Sequence, residues 1–390
     1  MKKLLSPYHY LWALGAALWY RFPARKLVVI GVTGTKGKST VVDLIAVILA
    51  EAGKKSIVSG TVRFAVGEKS ERNMLKMSMP GKGYLQKLLR KGVTEGCTHA
   101  VIEMTSEGAR QHRNRFIPLD VLVVTNIAPE HIESHGSYEK YLASKVKIAR
   151  ALESSQKEPR TLIVNRDDKE KNAFLTLSVP QKIEVSVHDP FPYSTKLPGE
   201  MNRFNILIAA AAARAVGISE ETIAQAIAKF QGVRGRMESI ENNRNITIYV
   251  DYAHTADSLR AAYEAAGAGP KVCVLGSCGG GRDAWKRPLM AQVAHEYCEK
   301  IIFTNEDPYD EDPEAIIRDM SSALPEGSFR SILDRREAIR TALTEAGQGS
   351  TVMITGKGTD PCICGSRGSQ TPWDDATVVR EELHALENRA

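Results

Sequence analysis

Residues 28–40 read Val-Val-Ile-Gly-Val-Thr-Gly-Thr-Lys-Gly-Lys-Ser-Thr, a β-branched run that passes through a glycine-rich turn into a helical pattern. Glycines in such a turn let backbone N–H groups approach phosphate oxygens, and the following helix points its positive dipole end at the anion. Lys38 would bring charge to the β- and γ-phosphates, and the Ser39 hydroxyl suits Mg²⁺. The stretch therefore predicts a nucleoside triphosphate site. The residues expected to hold the nucleotide are Gly34, Thr35, Lys36, Gly37, Lys38, Ser39 and Thr40.

Short β-branched runs alternate with helical periodicity on both sides of this turn. Such alternation predicts a parallel sheet covered by helices on both faces. The alternation stops at a basic, glycine-punctuated stretch, residues 232–236, and restarts after it, so we place a domain boundary near residue 234. The runs predicted as strands are 27–30, 56–59, 99–103, 121–125, 161–164, 246–250, 271–275, 300–304 and 351–355.

The predicted fold class is therefore α/β, with two domains behind a short N-terminal segment. A P-loop central domain with a parallel sheet takes residues 27–233, and a Rossmann-like C-terminal α/β domain takes residues 234–390. An apolar and basic helix takes residues 1–26.

Composition excludes several classes of protein. Hydrophobic residues make up 43% and charged residues 25% of the chain, the balance of a globular enzyme. The net charge is +6, but residues 1–26 hold five basic residues and no acid, so the rest of the chain is nearly neutral and no nucleic-acid partner is expected. The six cysteines form no C-x-x-C pair, which predicts reduced thiols packed in the core of a cytoplasmic protein.

The N-terminal segment leaves two alternatives open. Residues 4–20 contain no Lys, Arg, Asp or Glu, but a membrane span needs about 20 apolar residues. The segment also lacks a good cleavage site for a signal peptide. It either docks on the domain behind it or attaches peripherally to a membrane through residues 4–22, where Trp, Tyr and Arg side chains suit the lipid interface.

The glycine spacing departs from the common pattern G-x-x-x-x-G-K-[ST], since Gly31 lies six residues before Gly37 rather than five. In this form, GxxGTxGK[ST], the loop resembles that of the Mur ligase and folylpolyglutamate synthase superfamily. Its members are ATP-dependent enzymes that join a carboxylate to an amine. The resemblance implies phosphorylation of the carboxylate by ATP, with Mg²⁺ bridging the reactants.

Further strings resemble the central domain of Mur ligases. Ala100-Val-Ile-Glu103 supplies the acid that follows a strand, and residues 125–136, Thr-Asn-Ile-Ala-Pro-Glu-His-Ile-Glu-Ser-His-Gly, contain His131 at the position of a second metal contact. Lys145 matches the family's lysine that CO₂ converts to a carbamate. The resemblance thus implies Ser39, Glu103 and His131 as metal ligands; Lys38, Glu103, His131 and Lys145 as catalytic; and Asn202 and Asn205 as nucleotide contacts. For Asn202 a helix N-cap is the alternative, and His135 has an equally good interpretation as a hydrogen-bonded core residue.

The last domain continues the resemblance. Residues 235–238 and 250–255 look like Mur ligase strings, which imply that Arg236 contacts ATP phosphate, Asp251 its ribose and His254 the nucleotide. Three later loops most resemble MurE-type members, which add the third residue of the peptidoglycan stem and read the incoming amino acid there. The residues implied in amino-acid recognition are Arg282, Glu306, Asp307, Tyr309, Lys357 and Asp360.

Two departures bear on that amino acid. Members that add diaminopimelate carry D-N-P-R and G-K-G-H-E, but this chain has Glu306-Asp307-Pro308-Tyr309 and Gly356-Lys-Gly-Thr-Asp360. The missing arginine puts diaminopimelate in doubt. The added acidic residues favour an amine with a basic tail, such as lysine.

A third departure concerns the acceptor. Mur ligases place a UDP-binding domain ahead of the phosphate loop, whereas about thirty residues precede it here. We expect the acceptor to be held by the central domain, or its carrier not to be UDP. The residues expected to contact it are Ser78, Ser106, Gln111 and Arg113.

The predicted function is an ATP- and Mg²⁺-dependent amide ligase that adds a free amino acid to a muramyl-peptide acceptor through an acyl phosphate. The alternatives are a folylpolyglutamate-synthase-type glutamate ligase and a catalytically inactive nucleotide-binding scaffold.

Overall fold

The computed structural model describes residues 5–130, 135–282 and 284–388. The chain divides into two compact units. The first comprises Met1–Lys196 and Glu200–Gln231, and the second comprises Leu197–Gly199 and Gly232–Ala390.

The first unit is built on an eight-stranded sheet with the order β4-β3-β2-β5-β1-β6-β7-β8. Strands β2, β5, β1, β6, β7 and β8 run parallel, and β3 and β4 add an antiparallel edge. The parallel strands β1, β2, β5, β6 and β7 are buried almost throughout, as expected when helices cover both faces of a sheet. The strands are β1 Val28–Thr33, β2 Ser56–Ser59, β3 Arg63–Val66, β4 Lys69–Arg72, β5 His99–Glu103, β6 Val121–Val124, β7 Thr161–Asn165 and β8 Gln181–Val185.

Eight helices belong to the described part of this unit. On one face, α2 packs against α7, α8 and β5. On the other, side chains of α3, α4, α5 and α6 share one hydrophobic core with the sheet. The helices are α1 Leu5–Trp19, α2 Lys38–Glu51, α3 Tyr84–Thr94, α4 Ser106–Arg110, α5 Tyr138–Glu153, α6 Lys171–Leu175, α7 Glu200–Ala215 and α8 Glu220–Lys229.

The second unit has a six-stranded sheet with the order β13-β12-β11-β14-β10-β9, in which only β9 is antiparallel to its neighbour. A small hairpin of β15 and β16 lies apart from it. The strands are β9 Glu238–Ser239, β10 Thr247–Val250, β11 Lys271–Leu275, β12 Lys300–Phe303, β13 Arg330–Ser331, β14 Thr351–Ile354, β15 Cys362–Cys364 and β16 Gln370–Pro372. The α/β class predicted from the alternating pattern is thus confirmed for both sheets.

Two hydrophobic cores lie on the two faces of this second sheet. One joins α9, α10 and α11 to the strands, and the other joins α12 and α13. In sheets layered in this way, ligands bind at the carboxyl ends of the parallel strands. The helices are α9 Ala256–Ala265, α10 Lys286–Tyr297, α11 Pro313–Ser321, α12 Arg335–Glu345 and α13 Asp375–Glu387.

The cysteines correct one expectation. Cys273 in β11 and Cys298, directly after α10, form a disulfide with their Cα atoms 6.1 Å apart, so the prediction of six reduced thiols is wrong. The chain returns from α10 to β12, the neighbour of β11, and this crossover brings the two residues to one face of the sheet without any C-x-x-C spacing. The other four cysteines lie outside this disulfide and are buried.

The N-terminal helix α1 docks on the first unit through one of its faces. Ala17 is fully buried, and the Tyr10 ring packs against the rings of His112 and Phe116. Just after the helix, the Arg90 guanidinium donates to the Tyr20 carbonyl oxygen at 2.8 Å. None of the helices described is long and apolar enough to cross a bilayer.

Candidate active site

The turn between β1 and α2 keeps two glycines in backbone conformations that other residues rarely adopt. Gly34 has φ 143°, and Gly37, at the start of α2, has φ 79°. A Cβ atom on Gly34 would lie 2.0 Å from Thr125 Oγ1, and one on Gly37 would lie 2.4 Å from Asn205 Oδ1. Only glycine fits at these two positions. The first N–H groups of α2, which have no partner inside the helix, are the donors that such a turn offers to an anion.

The segment that follows β6 holds this turn in place. Thr35 N donates to Asn126 O at 2.7 Å, and Lys36 N donates to Asn126 Oδ1 at 2.8 Å. Thr125 Oγ1 donates in turn to Lys36 O at 2.6 Å. The Thr35 hydroxyl lies 2.8 Å from the hydroxyl of Tyr141 in α5. Two sequence-distant segments, residues 125–126 and α5, therefore fix the turn before any ligand arrives.

The two lysines of the turn have different surroundings. Lys36 Nζ forms an ion pair with Glu130 Oε1 at 2.6 Å, so its charge is already paired. Lys38 Nζ donates to Thr35 O at 2.8 Å, which folds its side chain back over the turn. The position of Lys38 over the turn agrees with the phosphate contact that the sequence pattern predicts for it. Thr40 is buried in the first turn of α2.

Glu103, the last residue of β5, is 1% exposed and lies beside the start of α2. Ser39 Oγ donates to Glu103 Oε2 at 3.1 Å. Thr61 binds the same carboxylate twice, from its backbone N to Oε2 at 2.9 Å and from its hydroxyl to Oε1 at 2.8 Å. Each hydrogen bond described for Glu103 comes from a neutral group. A buried carboxylate without a charge partner favours a bound cation, and hard oxygen donors are what Mg²⁺ prefers.

His131, predicted as the second metal contact, lies outside the described residues. His135, which follows it, is buried, with Nε2 3.1 Å from Ser106 Oγ and Nδ1 3.4 Å from Ser144 Oγ. These contacts fit its interpretation as a hydrogen-bonded core residue. Across residues 5–130, 135–282 and 284–388, no three His, Cys, Asp or Glu side chains gather as a metal cluster. Ser39 and Glu103 are the described candidates for metal ligands.

Lys145 projects from α5 into the same region and is 2% exposed. Its Nζ donates to the carbonyl oxygen of Gly34 at 2.7 Å and to Thr33 Oγ1 at 3.4 Å. Burial, and then the nearby charge of Lys38, lower the pKa of the Lys145 amine well below its usual range. The structure thus brings Lys145 against the Gly34–Ser39 turn, which we call the phosphate turn, as a buried amine whose pKa is lowered.

The two asparagines of α7 lie together at this turn. Asn205 faces Gly37, and its Nδ2 donates to Asn202 Oδ1 at 3.3 Å. Both are buried. Asn202 lies inside the helix, which begins at Glu200, so the N-cap alternative for Asn202 is wrong.

Of the residues predicted to contact the acceptor, Ser78 connects to Glu103 through Thr61. Ser78 Oγ lies 2.5 Å from Thr61 Oγ1. In the next loop, Arg113 donates to the carbonyl of Met79 and to Gln111 Oε1, both at 2.6 Å. Ser106, which opens α4 just after β5, binds His135. Ser78 therefore lies one hydrogen bond from Thr61, the partner of Glu103, and Arg113 and Gln111 are bonded to each other beside Met79.

In the second unit, Asp251 organises the end of β10. Its Oδ2 accepts from Met237 N and its Oδ1 from Ala253 N, both at 2.6 Å. The Arg236 guanidinium lies 4.2 Å from the centre of the Tyr252 ring. His254 Nδ1 lies 2.8 Å from Tyr252 O. The three residues predicted to bind nucleotide are thus neighbours at one strand end.

A second cluster lies after β11, β12 and β14. Arg282 donates to the Tyr309 hydroxyl at 2.8 Å and is exposed. Glu306 is 3% exposed, and its Oε1 accepts from Cys278 Sγ at 2.9 Å, while Oε2 has no hydrogen-bond partner in the described structure. Burial and the Glu306 charge raise the pKa of the Cys278 thiol, which stays a neutral donor. Glu306 is thus a buried acid whose one described hydrogen-bond donor is a neutral thiol.

Lys357 binds both Asp307 and Asp360. Lys357 Nζ donates to Asp307 Oδ1 at 2.8 Å and to Asp360 Oδ2 at 3.2 Å, and Asp307 Oδ1 also accepts from Cys364 N. Lys357 is fully buried. The predicted recognition residues Lys357, Asp307 and Asp360 therefore shape the loops around Glu306.

Sequence reasoning missed several residues of the site. Thr61, which binds Glu103 twice, stands in a turn with no motif of its own. Cys278 was assigned to core packing and is instead the partner of Glu306. The buried pair of Arg335 and Asp375, with Arg335 also bound to the carbonyl of Thr355, anchors the strand ends of the second unit. No local spacing signals these contacts, because each joins segments that are far apart in the sequence.

Each of the two units matches a model of a known protein family. A family model described as the Mur ligase middle domain matches residues 32–187, and one described as the Mur ligase glutamate ligase domain matches residues 235–358. A UDP-N-acetylmuramoyl-L-alanyl-D-glutamate–2,6-diaminopimelate ligase of Geobacillus kaustophilus is 37% identical over 377 residues, which cover 89% of this chain and 77% of that protein. A UDP-N-acetylmuramyl-tripeptide synthetase of Roseiflexus sp. is 33% identical over 415 residues, covering 95% and 81%.

Solved structures agree with these relatives. A UDP-N-acetylmuramoyl-L-alanyl-D-glutamate–2,6-diaminopimelate ligase superposes with a TM-score of 0.62 at 27% identity, covering 93% of this chain and 79% of that one. A Mycobacterium tuberculosis folylpolyglutamate synthase complexed with ADP reaches a TM-score of 0.73 at 16% identity, covering 89% and 91%, which is a likeness of fold. The chain belongs to the Mur ligase family of ATP-dependent amide ligases and is close to its MurE-type members.

Proposed function

We propose that this chain adds an amino acid to a muramyl-peptide carboxylate at the expense of ATP. The γ-phosphoryl group moves to a carboxylate oxygen and ADP leaves. The amine nitrogen then attacks the acyl carbon, the C–O bond to phosphate breaks, and inorganic phosphate departs as the C–N bond forms. The observation that supports this proposal is the meeting of the Gly34–Ser39 turn, Glu103 and Lys145 at the carboxyl ends of β1 and β5.

Ser39 and Glu103 would hold Mg²⁺ in this reaction, with His131 as a further proposed ligand. The metal would neutralise charge on the transferring phosphoryl group. Lys38 and the N–H groups at the start of α2 would bind the phosphates, and Asn202 and Asn205 would face the nucleotide. In the second unit we propose that Arg236, Asp251 and His254 bind nucleotide as well.

We infer that Lys145 reacts with CO₂ to form a carbamate. Carbamate formation needs a neutral amine, because the nitrogen lone pair attacks the carbon of CO₂ and a proton leaves the nitrogen. The lowered pKa of Lys145 supports the neutral form at neutral pH. The product is an anion beside Gly34 O, where it would orient the metal shell or the phosphate turn.

The charge around Glu306 supports an amino acid with a terminal ammonium group, of the lysine class. Lys357 pairs with both Asp307 and Asp360, whereas the hydrogen bond described for the buried carboxylate of Glu306 comes from a neutral thiol. A cationic side chain would compensate that charge. Arg282 and Tyr309, at the exposed edge, are the proposed partners of the amino acid's carboxylate.

The test is ADP release with a muramyl dipeptide acceptor, with and without UDP attached, across a panel of amino acids. We expect turnover that requires acceptor and amino acid together and is highest with lysine. Turnover with a pteroate-type acceptor and glutamate instead would favour the folylpolyglutamate-synthase alternative. Binding of ATP without stimulation by any acceptor or amine would leave the inactive scaffold as the better description.

A further inference from the structure

The N-terminal helix α1, Leu5–Trp19, is apolar on all sides, but the first unit covers only one of them. The helix contains no Asp, Glu, Lys or Arg. Its covered side includes Ala16 and Ala17, which are 8% and 0% exposed. A helix that is hydrophobic all round is stable in water only when its other side is covered as well. The uncovered side therefore needs a partner.

Residues three or four apart form that uncovered side. Trp19 is 82% exposed, Leu11 64% and Leu18 57%. Their spacing places them on one side of the helix, because side chains at i, i+3 and i+4 lie above one another. We call this surface the aromatic stripe. It consists of Tyr8, Leu11, Trp12, Gly15, Leu18 and Trp19.

A shallow groove widens the stripe toward the loop before α3. The groove has a volume of about 490 Å³ and is lined by stripe residues together with Lys82 and Gly83. A Cβ atom on Gly83 would lie 2.9 Å from the Cβ of Ala16, so the glycine lets the helix approach this loop closely. Lys82, which is exposed, is the single charged residue in the lining.

Positive charge surrounds the stripe. Residues 1–42 contain no Asp or Glu. Arg21, Arg25 and Lys26 follow the helix directly and are exposed, and Lys82 adds a fourth cation at the groove. This surface combines exposed Trp, Tyr and Leu side chains with basic residues and lies in a segment that has no acidic residue. It is therefore complementary to the anionic headgroups and apolar chains of a lipid interface.

We propose that α1 lies in the headgroup region of an anionic lipid bilayer, with the aromatic stripe inserted and the helix axis parallel to the membrane surface. Its 15 residues reach only about 22 Å, less than the roughly 30 Å hydrocarbon core, so the helix lies on the membrane. A second copy of the chain is a poorer occupant, since a twofold contact would bring the same acid-free, positively charged segment against itself. The inference does not depend on which amino acid the ligase adds.

The test is flotation of the full chain with vesicles of phosphatidylglycerol and phosphatidylcholine, compared with vesicles of phosphatidylcholine alone. We expect binding to the anionic vesicles, weakened by added salt. The double variant Trp12→Glu/Trp19→Glu should lower the bound fraction at least about tenfold, because two carboxylates would enter the interface. Lys26→Gln and Lys82→Gln should each weaken binding about fivefold.

Leu333→Glu is the matched control, because Leu333 is an exposed leucine in the second unit. This variant should bind vesicles like the unaltered chain. Circular dichroism and ATP-dependent ADP release should be the same in all these variants, which separates lost docking from lost folding. The proposal is overturned if the unaltered chain does not float with anionic vesicles, or if the double variant floats with them as well as the unaltered chain does. The proposal is also overturned if the unaltered chain forms a dimer that the double variant does not form, and neither protein binds vesicles.

Discussion

The Ser39 hydroxyl donates to the Glu103 carboxylate over 3.1 Å and joins the first turn of α2 to the end of β5. The two residues are 64 positions apart in the sequence. Because Ser39 belongs to the phosphate turn and Glu103 is a buried acid bound by neutral donors, we propose this contact as the point where Mg²⁺ meets the nucleotide. Its consequences can be measured.

Glu103→Gln should lower the rate of ADP release by about 10²- to 10³-fold, since it removes the charge that would hold Mg²⁺. The same change should leave the free energy of unfolding equal or higher, because a buried and uncompensated charge is lost. ADP release against Mg²⁺ concentration and urea unfolding measure the two effects. Glu68→Gln, at an exposed turn of the same unit, is the control and should change neither. Full activity in Glu103→Gln at low Mg²⁺ would remove Glu103 from the metal site.

Lys145→Ala should abolish turnover, and short carboxylic acids such as acetate should restore part of it by replacing the carbamate. Lys145→Arg keeps a cation and should stay inactive. Lys140→Ala, on an exposed position of the same helix, should retain activity. An active Lys145→Arg enzyme would show that a positive charge, rather than a carbamate, is what the site needs.

The same proposal fixes the direction of a pH effect. The pKa of Lys145 is lowered, so a larger share of the amine is neutral at a given pH, and that share is lost as the pH falls through the lowered pKa. Activity should therefore fall on acidification, and added bicarbonate should restore it at a given pH. ADP release measured across pH with and without bicarbonate tests this. An acid-side loss that bicarbonate leaves unchanged would point to another titrating group.

Glu306→Gln should raise the KM for lysine by about tenfold or more, with a smaller change in kcat, because a buried charge partner of the substrate is lost. The KM for ATP should stay the same. Steady-state kinetics with lysine, diaminopimelate and alanine separates these effects. If the KM values for lysine and alanine change equally, Glu306 does not read the terminal ammonium group.

Much of the fold follows from local pattern, since buried parallel strands read as continuous apolar runs. The predicted runs at 56–59, 99–103 and 271–275 coincide with β2, β5 and β11. The edge strand β4, Lys69–Arg72, escaped prediction because its sequence, Lys-Ser-Glu-Arg, has no apolar residue and its pairing with β3 alone makes it a strand.

The site divides in the same way. A local motif predicts Gly34, Gly37 and Ser39, because the residues that would surround a phosphate group belong to one short segment. No local motif predicts Thr61, because a hairpin between β2 and β3 brings it to the carboxylate of Glu103, 42 positions away. The disulfide of Cys273 and Cys298 likewise depends on a crossover between neighbouring strands.

The buried ion pair of Arg335 and Asp375 should matter more for stability than any exposed pair. Arg335 and Asp375 side chains are 1% and 0% exposed, and Arg335 binds both carboxylate oxygens. Asp375→Asn would leave the guanidinium buried without its charge partner, at a cost of about 3–5 kcal/mol in the free energy of unfolding. Arg330→Ala, which breaks an exposed pair with Glu345, should cost under about 1 kcal/mol. Urea unfolding of both variants measures the difference, and equal losses would contradict the assignment.

Gly37→Ala tests the phosphate turn itself. At φ 79° an alanine costs roughly 1 kcal/mol in backbone energy, and its Cβ would also meet Asn205 Oδ1 at 2.4 Å. Gly53→Ala isolates the first effect, because Gly53 has φ 69° and open space around a Cβ atom. We therefore expect both variants to lose stability, but only Gly37→Ala to lose ATP affinity, by at least about tenfold. Calorimetric titration with ATP measures this. Adding Asn205→Ala to Gly37→Ala should relieve the clash while removing a proposed nucleotide contact, so affinity should recover only in part; full recovery would show that Asn205 shapes the turn without touching the nucleotide.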